Sequence, residues 1–268
     1  MIQVVKKSCK LQVNIKSKSI STSNKLSKLK TFNAETVLCG NISKVDYHNH
    51  TNFTDGKNTV EECVIKAIDK GLTTIGFSEH VSKNEEWMKE WFARYLEDIE
   101  MCKKKYTEID ILCGIEAKIN DDNGNLNVDE KYIETVDYVI GVLHTYPKFK
   151  SNKDVKLKLL NKKQLVDIEE LYNLSVLKNS NVDIIGHVGA IYKRFSRYGD
   201  LPLNAFENII EMAGKVDIAF ELSGRYHQGL TLPLLNLCTK HNTKVSFGSD
   251  AHHLKDIGLI IDVLKREL

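Results

Sequence analysis

The feature that most restricts how this chain can fold is a repeated beat of seven short runs rich in β-branched residues, separated by stretches of helical periodicity. The runs are Lys44–Tyr47, Thr73–Phe77, Asp110–Gly114, Val136–Leu143, Val182–Gly186, Val216–Leu222 and Lys244–Gly248. Over residues 45–268 they recur about every 32 residues, close to the ~30 residues of a βαβ unit. Strands that alternate with helices pair in parallel, because each crossover helix returns the chain to the same end of the sheet. The first helix is the best specified: Thr59 and Glu62 make a capping box, Val60, Cys63, Val64, Ala67 and Ile68 share one face, and Gly71 supplies the stop. A second helix is expected from about Glu85 to Tyr106, with Met88, Trp91, Phe92, Tyr95 and Ile99 as a core stripe, and its two tryptophans could also approach a substrate.

Histidines and carboxylates follow the same beat. His48 and His50 come after the first run, His80 after the second, His144 after the fourth, His187 after the fifth and His252 after the seventh. Glu116 follows the third run, Asp250 ends the seventh, and Asp55 lies five residues past His50. In a parallel α/β barrel the C-terminal strand ends meet on one face, so these nine residues are expected to share one cleft. Imidazoles and carboxylates buried there without partners would be costly, whereas borderline divalent cations take them as ligands. His48 and His50 are two apart, as are Asp250 and His252, which turns both members of each pair to the same side of an extended chain. The coherent expectation is a multinuclear metal site.

Charge divides the chain unevenly. Residues 1–44 carry nine lysines and one acid, a local +8, while the remainder sums to −6. Residues 1–44 therefore read as a basic, solvated extension and 45–268 as the folded domain, with little reason to expect nucleic-acid binding by that domain. Seven lysines lie between Lys148 and Lys163, read as a solvated segment or a cover over the cleft. The six cysteines are scattered without a Cys-x-x-Cys pair, which suggests a reducing, cytoplasmic setting, and no apolar run approaches the ~20 residues of a membrane span.

The segments Asp46-Tyr-His-Asn-His-Thr-Asn-Phe-Thr-Asp-Gly56, Gly76-Phe-Ser-Glu-His80, Gly114-Ile-Glu-Ala117, Asp137-Tyr-Val-Ile-Gly-Val-Leu-His144, Asp183-Ile-Ile-Gly-His187 and Gly248-Ser-Asp-Ala-His252 resemble, in order, the motifs of the PHP (polymerase and histidinol phosphatase) family. The resemblance spans roughly residues 45–260 and implies that family's fold, a distorted seven-stranded (β/α)7 TIM-like barrel. It implies two or three divalent ions, with Zn, Mn and Fe all compatible with the donor set. His48, His50, Glu116 and Asp250 would hold one ion, with Glu116 bridging to a second held by His144 and His187, and Asp55, His80 and His252 would hold a third.

Within the family the chain looks most like the histidinol-phosphatase branch, through Gly76–His80, Asp183–His187 and Glu221-Leu-Ser-Gly-Arg225, although the last lacks the Asn of the branch's Glu-x-Asn-x-Ser-Gly pattern. The implied reaction is hydrolysis of a small phosphomonoester, L-histidinol phosphate first, by a metal-bound hydroxide at a trinuclear site, as a phosphatase of histidine biosynthesis. Arg194, Arg197 and Arg225 are candidates to neutralise the phosphate, Arg225 foremost because it follows the one run without a ligand. Glu79, beside His80, is a candidate to orient a ligand imidazole or to protonate the leaving alkoxide. His253 is expected to face away from the cleft and His241 is not marked as a ligand, while His227 lies close enough to Arg225 to enter the pocket. A nuclease or nucleotide phosphatase is the alternative, supported by the basic tail and the lysine segment, and a non-catalytic metal-binding module is the second.

Overall fold

The computed structural model describes residues 29–149, 159–179, 181–195 and 197–268. Eight strands form one sheet: β1 (Phe32–Asn33), β2 (Val45–Asp46), β3 (Thr74–Val81), β4 (Asp110–Lys118), β5 (Tyr138–Val142), β6 (Ile184–Ile185), β7 (Ala219–Ser223) and β8 (Lys244–Gly248). From β2 to β8 every neighbour is the next strand in sequence and every pairing is parallel, as the alternation predicts. The seven expected strands are β2 to β8, and the curled sheet gains an eighth because β1 adds antiparallel to the start of β8 through Phe32–Val245 and Asn33–Lys244. Two residues are too few to show a periodic pattern, and these lie in a lysine-rich stretch. The folded body also begins upstream of residue 45: helix α1 (Ala34–Leu38) buries Ala34 and Val37, and Phe32 stacks on Phe247 with ring centroids 5.0 Å apart. Residues 1–28, most of the basic extension, lie outside the described residues, as do residues 150–158 of the lysine segment.

The flanks of the sheet approach each other at the strands' C-terminal ends. Tyr47 N–H donates to Phe247 O, His50 N–H to Ala251 O, and Asn49 bridges Ala251 in parallel register. Asp46, fully buried, fastens this seam by accepting from the backbone N–H of Ser249 (2.9 Å) and Gly258 (2.8 Å). Lower down, Tyr138 crosses the interior from β5 and brings its hydroxyl within hydrogen-bond distance of the Tyr47 and Phe77 carbonyls. Gly76 and Gly114 make room for it, since a Cβ at either position would run into the tyrosine.

The helices cover the outside. Helix α2 (Val60–Asp69) begins at the expected Thr59–Glu62 capping box, and α3 (Glu85–Lys105) buries Met88, Trp91, Phe92, Tyr95 and Ile99. Then come α4 (Glu130–Ile133), α5 (Lys162–Asn179), α6 (Ala190–Phe195), α7 (Leu203–Lys215), α8 (Thr231–Lys240) and α9 (Leu259–Glu267). No helix among the described residues is long and apolar enough to cross a membrane.

Candidate metal centre

Parallel strands deliver their C-terminal ends to one face, and all nine expected ligands arrive there. They fall into four overlapping groups whose donor atoms lie within 4.8 Å of one another: His50, Asp55, His80 and His252; His48, His50 and Asp250; His48, Glu116 and His187; and His80, Glu116 and His144. Glu116 is the hub. Its Oε1 lies 3.0 Å from His48 Nε2, 3.0 Å from His187 Nε2 and 3.2 Å from His144 Nε2, and its Oε2 lies 2.6 Å from His80 Nδ1 and 3.7 Å from His50 Nε2. Asp250 Oδ1 approaches His50 Nε2 at 3.3 Å, and Asp55 Oδ2 approaches His80 Nε2 and His252 Nε2, each at 3.3 Å. His187 and Asp250 reach the cluster with left-handed backbone, φ +26° and +52°, where a side chain costs of order 1–3 kcal/mol unless its surroundings hold it.

The donor set suits cations better than it suits itself. Among the described residues, His48 Nε2, both ring nitrogens of His50 and Glu116 Oε2 are buried with no hydrogen-bond partner of adequate geometry. Each such atom costs about 1–3 kcal/mol. Divalent ions would satisfy them together, so the residues fit the group that the sequence implies.

The electrostatics point the same way. Burial raises the cost of charging Glu116, but His144, His48 and His80 outweigh it and hold the carboxyl far below its usual range. His50 and His80 stack with centroids 4.4 Å apart and shift in opposite directions. Burial, helped by the neighbouring His80, lowers His50 to about 4, while at His80 burial is overcome by Glu116 and Asp55, which raise it to about 10. At neutral pH His50 therefore offers a free lone pair, and a metal must displace a proton from His80.

A supporting carboxylate was not anticipated from sequence. Glu221, 1% exposed on β7, accepts from His48 Nδ1 at 2.6 Å and from the His187 backbone N–H at 2.5 Å, fixing the tautomer that turns His48 Nε2 toward Glu116. Gly248 on the neighbouring strand leaves the space, because a Cβ there would overlap Glu221 Oε1 and sit 2.7 Å from His48 Cβ. The signal available in sequence was an acid ending the sixth run, the one without a ligand.

Glu79 is placed differently from its expected roles. Strand alternation sends it to the opposite side of β3 from His80, and its fully buried carboxylate accepts from Thr51 N–H (2.7 Å) and the Thr54 hydroxyl. It fastens the loop that carries Asp55 and does not line the pocket, so it is not set to protonate a leaving group there. Burial raises its pKa from 4.5 to about 7. The proton held in the folded state stabilises the wild type below pH 4.5, and that stability is lost as pH rises through 7. In metal-stripped protein, Glu79→Gln should therefore gain about 3 kcal/mol relative to wild type between pH 4.5 and 7.5. Urea denaturation across that range tests this; a difference independent of pH would show that Glu79 is ionised in the fold.

A pocket of about 290 Å³ opens over the cluster, lined by ligand candidates together with Leu143, Ala190, Ile191, Arg194, Arg225 and Tyr226. Arg225 Nη1 lies 3.0 Å from Asp250 Oδ2 and 3.2 Å from His252 Nδ1. Arg194, on α6, also lines the pocket, while Arg197 turns toward Tyr198, 3.0 Å from its hydroxyl, and does not line it. Neither Trp87 nor Trp91 lines it: Trp91 packs with Phe53, Phe92 and Tyr95, and Trp87 packs edge-on against Trp91. His227 stays beneath the wall, its Nε2 donating to Val188 O and its Nδ1 accepting from Ser223 N–H. His241 pairs with Glu207 far from the site, and His253 precedes a short 3-10 turn.

A protein named "Probable phosphatase" from Thermoanaerobacter sp. (strain X514) is 27% identical over 224 residues, covering 82% of this chain and 84% of that one. A second of the same name, from Caldanaerobacter subterraneus subsp. tengcongensis, is 28% identical over 231 residues, covering 82% and 81%. Histidinol phosphate phosphatase from Lactococcus lactis subsp. lactis Il1403, solved with zinc, L-histidinol and phosphate, shares the fold at a TM-score of 0.63 and 18% identity, over 84% of this chain and 93% of that one. The PHP domain profile matches residues 46–224, a stretch that holds seven of the nine converging residues and both supporting glutamates, and the chain belongs to the PHP domain family.

Proposed function

We propose that this chain is a metal-dependent phosphomonoesterase acting on a small phosphorylated metabolite, with L-histidinol phosphate as the first candidate and His48, His50, Asp55, His80, Glu116, His144, His187, Asp250 and His252 as the metal ligands. One observation carries the reading: a buried carboxylate ringed by five imidazoles lies beneath a small pocket whose lining includes two arginines. The names of the curated relatives, and the zinc, L-histidinol and phosphate bound by the Lactococcus protein, support it.

Two or three bound Zn, Mn or Fe ions would supply Lewis acidity toward the phosphoryl oxygens and acidify a coordinated water. The chain's own residues do the rest. Glu116 and Asp250 hold anionic oxygens among the imidazoles, and Glu221 keeps His48 in one orientation. Arg225 and Arg194 present guanidinium groups to the phosphate, and Leu143, Ala190, Ile191 and Tyr226 offer a mixed surface to the organic part of the ester. A cavity of this size suits a metabolite better than a nucleic-acid strand.

The test is initial phosphate release at pH 7–8 by protein reconstituted with Mn or Zn, comparing L-histidinol phosphate, a mononucleotide and a short oligonucleotide. Preference for histidinol phosphate by orders of magnitude in kcat/KM supports the full reading. Preference for the oligonucleotide, with steep salt dependence, would replace it with a nuclease. Within the same assay, Arg225→Ala is expected to raise KM about tenfold or more with a smaller change in kcat, since it removes a charged contact to the phosphate.

A further inference from the structure

The second ion of the proposed site depends on two loops that come from different strands. His144 follows β5 and His187 follows β6, and their rings stack with centroids 5.4 Å apart, both facing Glu116 Oε1. The pairing of β5 with β6, Ile140–Ile184 and Gly141–Ile185, holds the two strands together but ends at the bond from Gly186 N–H to Gly141 O, before either ligand. Beyond that point a residue outside the cluster ties the two loops. Glu169, 1% exposed on α5, accepts from the Tyr146 hydroxyl at Oε2 (2.8 Å) and from the Gly189 backbone N–H at Oε1 (3.0 Å). Tyr146 lies two residues past His144 and Gly189 two residues past His187, so one buried carboxylate grips both ligand loops at equivalent points.

The position leaves little slack. Tyr146 is 1% exposed, and Gly189, at φ +83°, is backed so closely by Phe206 that a Cβ would lie 2.9 Å from its ring. Asn173, one turn along α5, donates to the Glu169 carbonyl and anchors that stretch of helix. The arrangement is not helix packing alone, for which an apolar side chain would serve at lower desolvation cost.

We propose that Glu169 is a positioning residue for the second metal ion, holding His144 and His187 at the spacing that ion requires. The proposal rests on the metal-site reading but not on any particular substrate. Glu169→Leu keeps the bulk and removes both acceptors, Tyr146→Phe removes one arm only, and Glu169→Gln keeps an acceptor for Gly189 and a donor for the Tyr146 oxygen.

Zn2+ dissociation constants by chelator competition, without substrate, are the readout, each variant being made in the wild-type and His144→Ala backgrounds. E169L is expected to weaken Zn2+ binding about tenfold or more, Y146F by less, and E169Q to stay within a few-fold of wild type. In the His144→Ala background, where the second ion has lost a ligand, E169L should weaken binding little further. Unchanged Zn2+ affinity in folded E169L and Y146F, or an equal loss in both backgrounds, overturns the proposal. Should phosphatase activity be absent from the wild type while these couplings hold, the functional reading fails and this one stands.

Discussion

Replacing Glu116 with glutamine is expected to lower phosphate release by about three orders of magnitude or more while leaving the metal-stripped fold in place. Five imidazoles face this one carboxylate. The amide conserves shape but cancels the negative charge that offsets bound cations, and it aims N–H groups at nitrogens that must stay open as ligands. Several kcal/mol of electrostatic stabilisation disappear at once, since two of the proposed ions share this ligand. Metal content by elemental analysis, kcat/KM and far-UV circular dichroism check the prediction together. A folded, metal-replete E116Q with near-wild-type turnover would remove the hub from the mechanism.

Gly248→Ala should also weaken the site, from a residue that ligates nothing. The added Cβ overlaps Glu221 Oε1 and crowds His48, so the glutamate must leave the position from which it holds His48 Nδ1 and the His187 backbone. Overpacking of this kind costs about 1–3 kcal/mol of stability, and the loss of a carboxylate behind a ligand histidine costs about 10- to 100-fold in metal affinity or activity. Thermal melts with and without Zn2+ separate the two effects: the metal-dependent increment in Tm should shrink along with the metal-free Tm. An undiminished increment would mean that Glu221 does not tune the site.

Much of this architecture is legible in the residues because strand ends and side-chain chemistry coincide. His48 and His50, two apart, land together as alternation requires, in one donor group with Asp250. The same alternation, applied to Glu79, places it behind His80, so its true orientation was readable in principle. Glu221 was not, because its role depends on a strand 27 residues away leaving space with a glycine. Nor were the left-handed conformations of His187 and Asp250, which no glycine or asparagine announces. Strand β1 escaped for the simplest reason: a two-residue strand is specified by the edge it joins and carries no periodicity of its own.

The crossing made by Tyr138 ties together three positions far apart in sequence. Its ring occupies the volume that side chains at Gly76 and Gly114 would otherwise fill, and its hydroxyl meets carbonyls on two other segments. These residues therefore form one heritable unit. A descendant that exchanges the tyrosine for a smaller side chain leaves a void best filled from position 76 or 114, and one that gains a methyl group at either glycine must give up the tyrosine. Drift at the floor of the domain should proceed by correlated exchange of all three, while the surrounding aliphatic residues change singly.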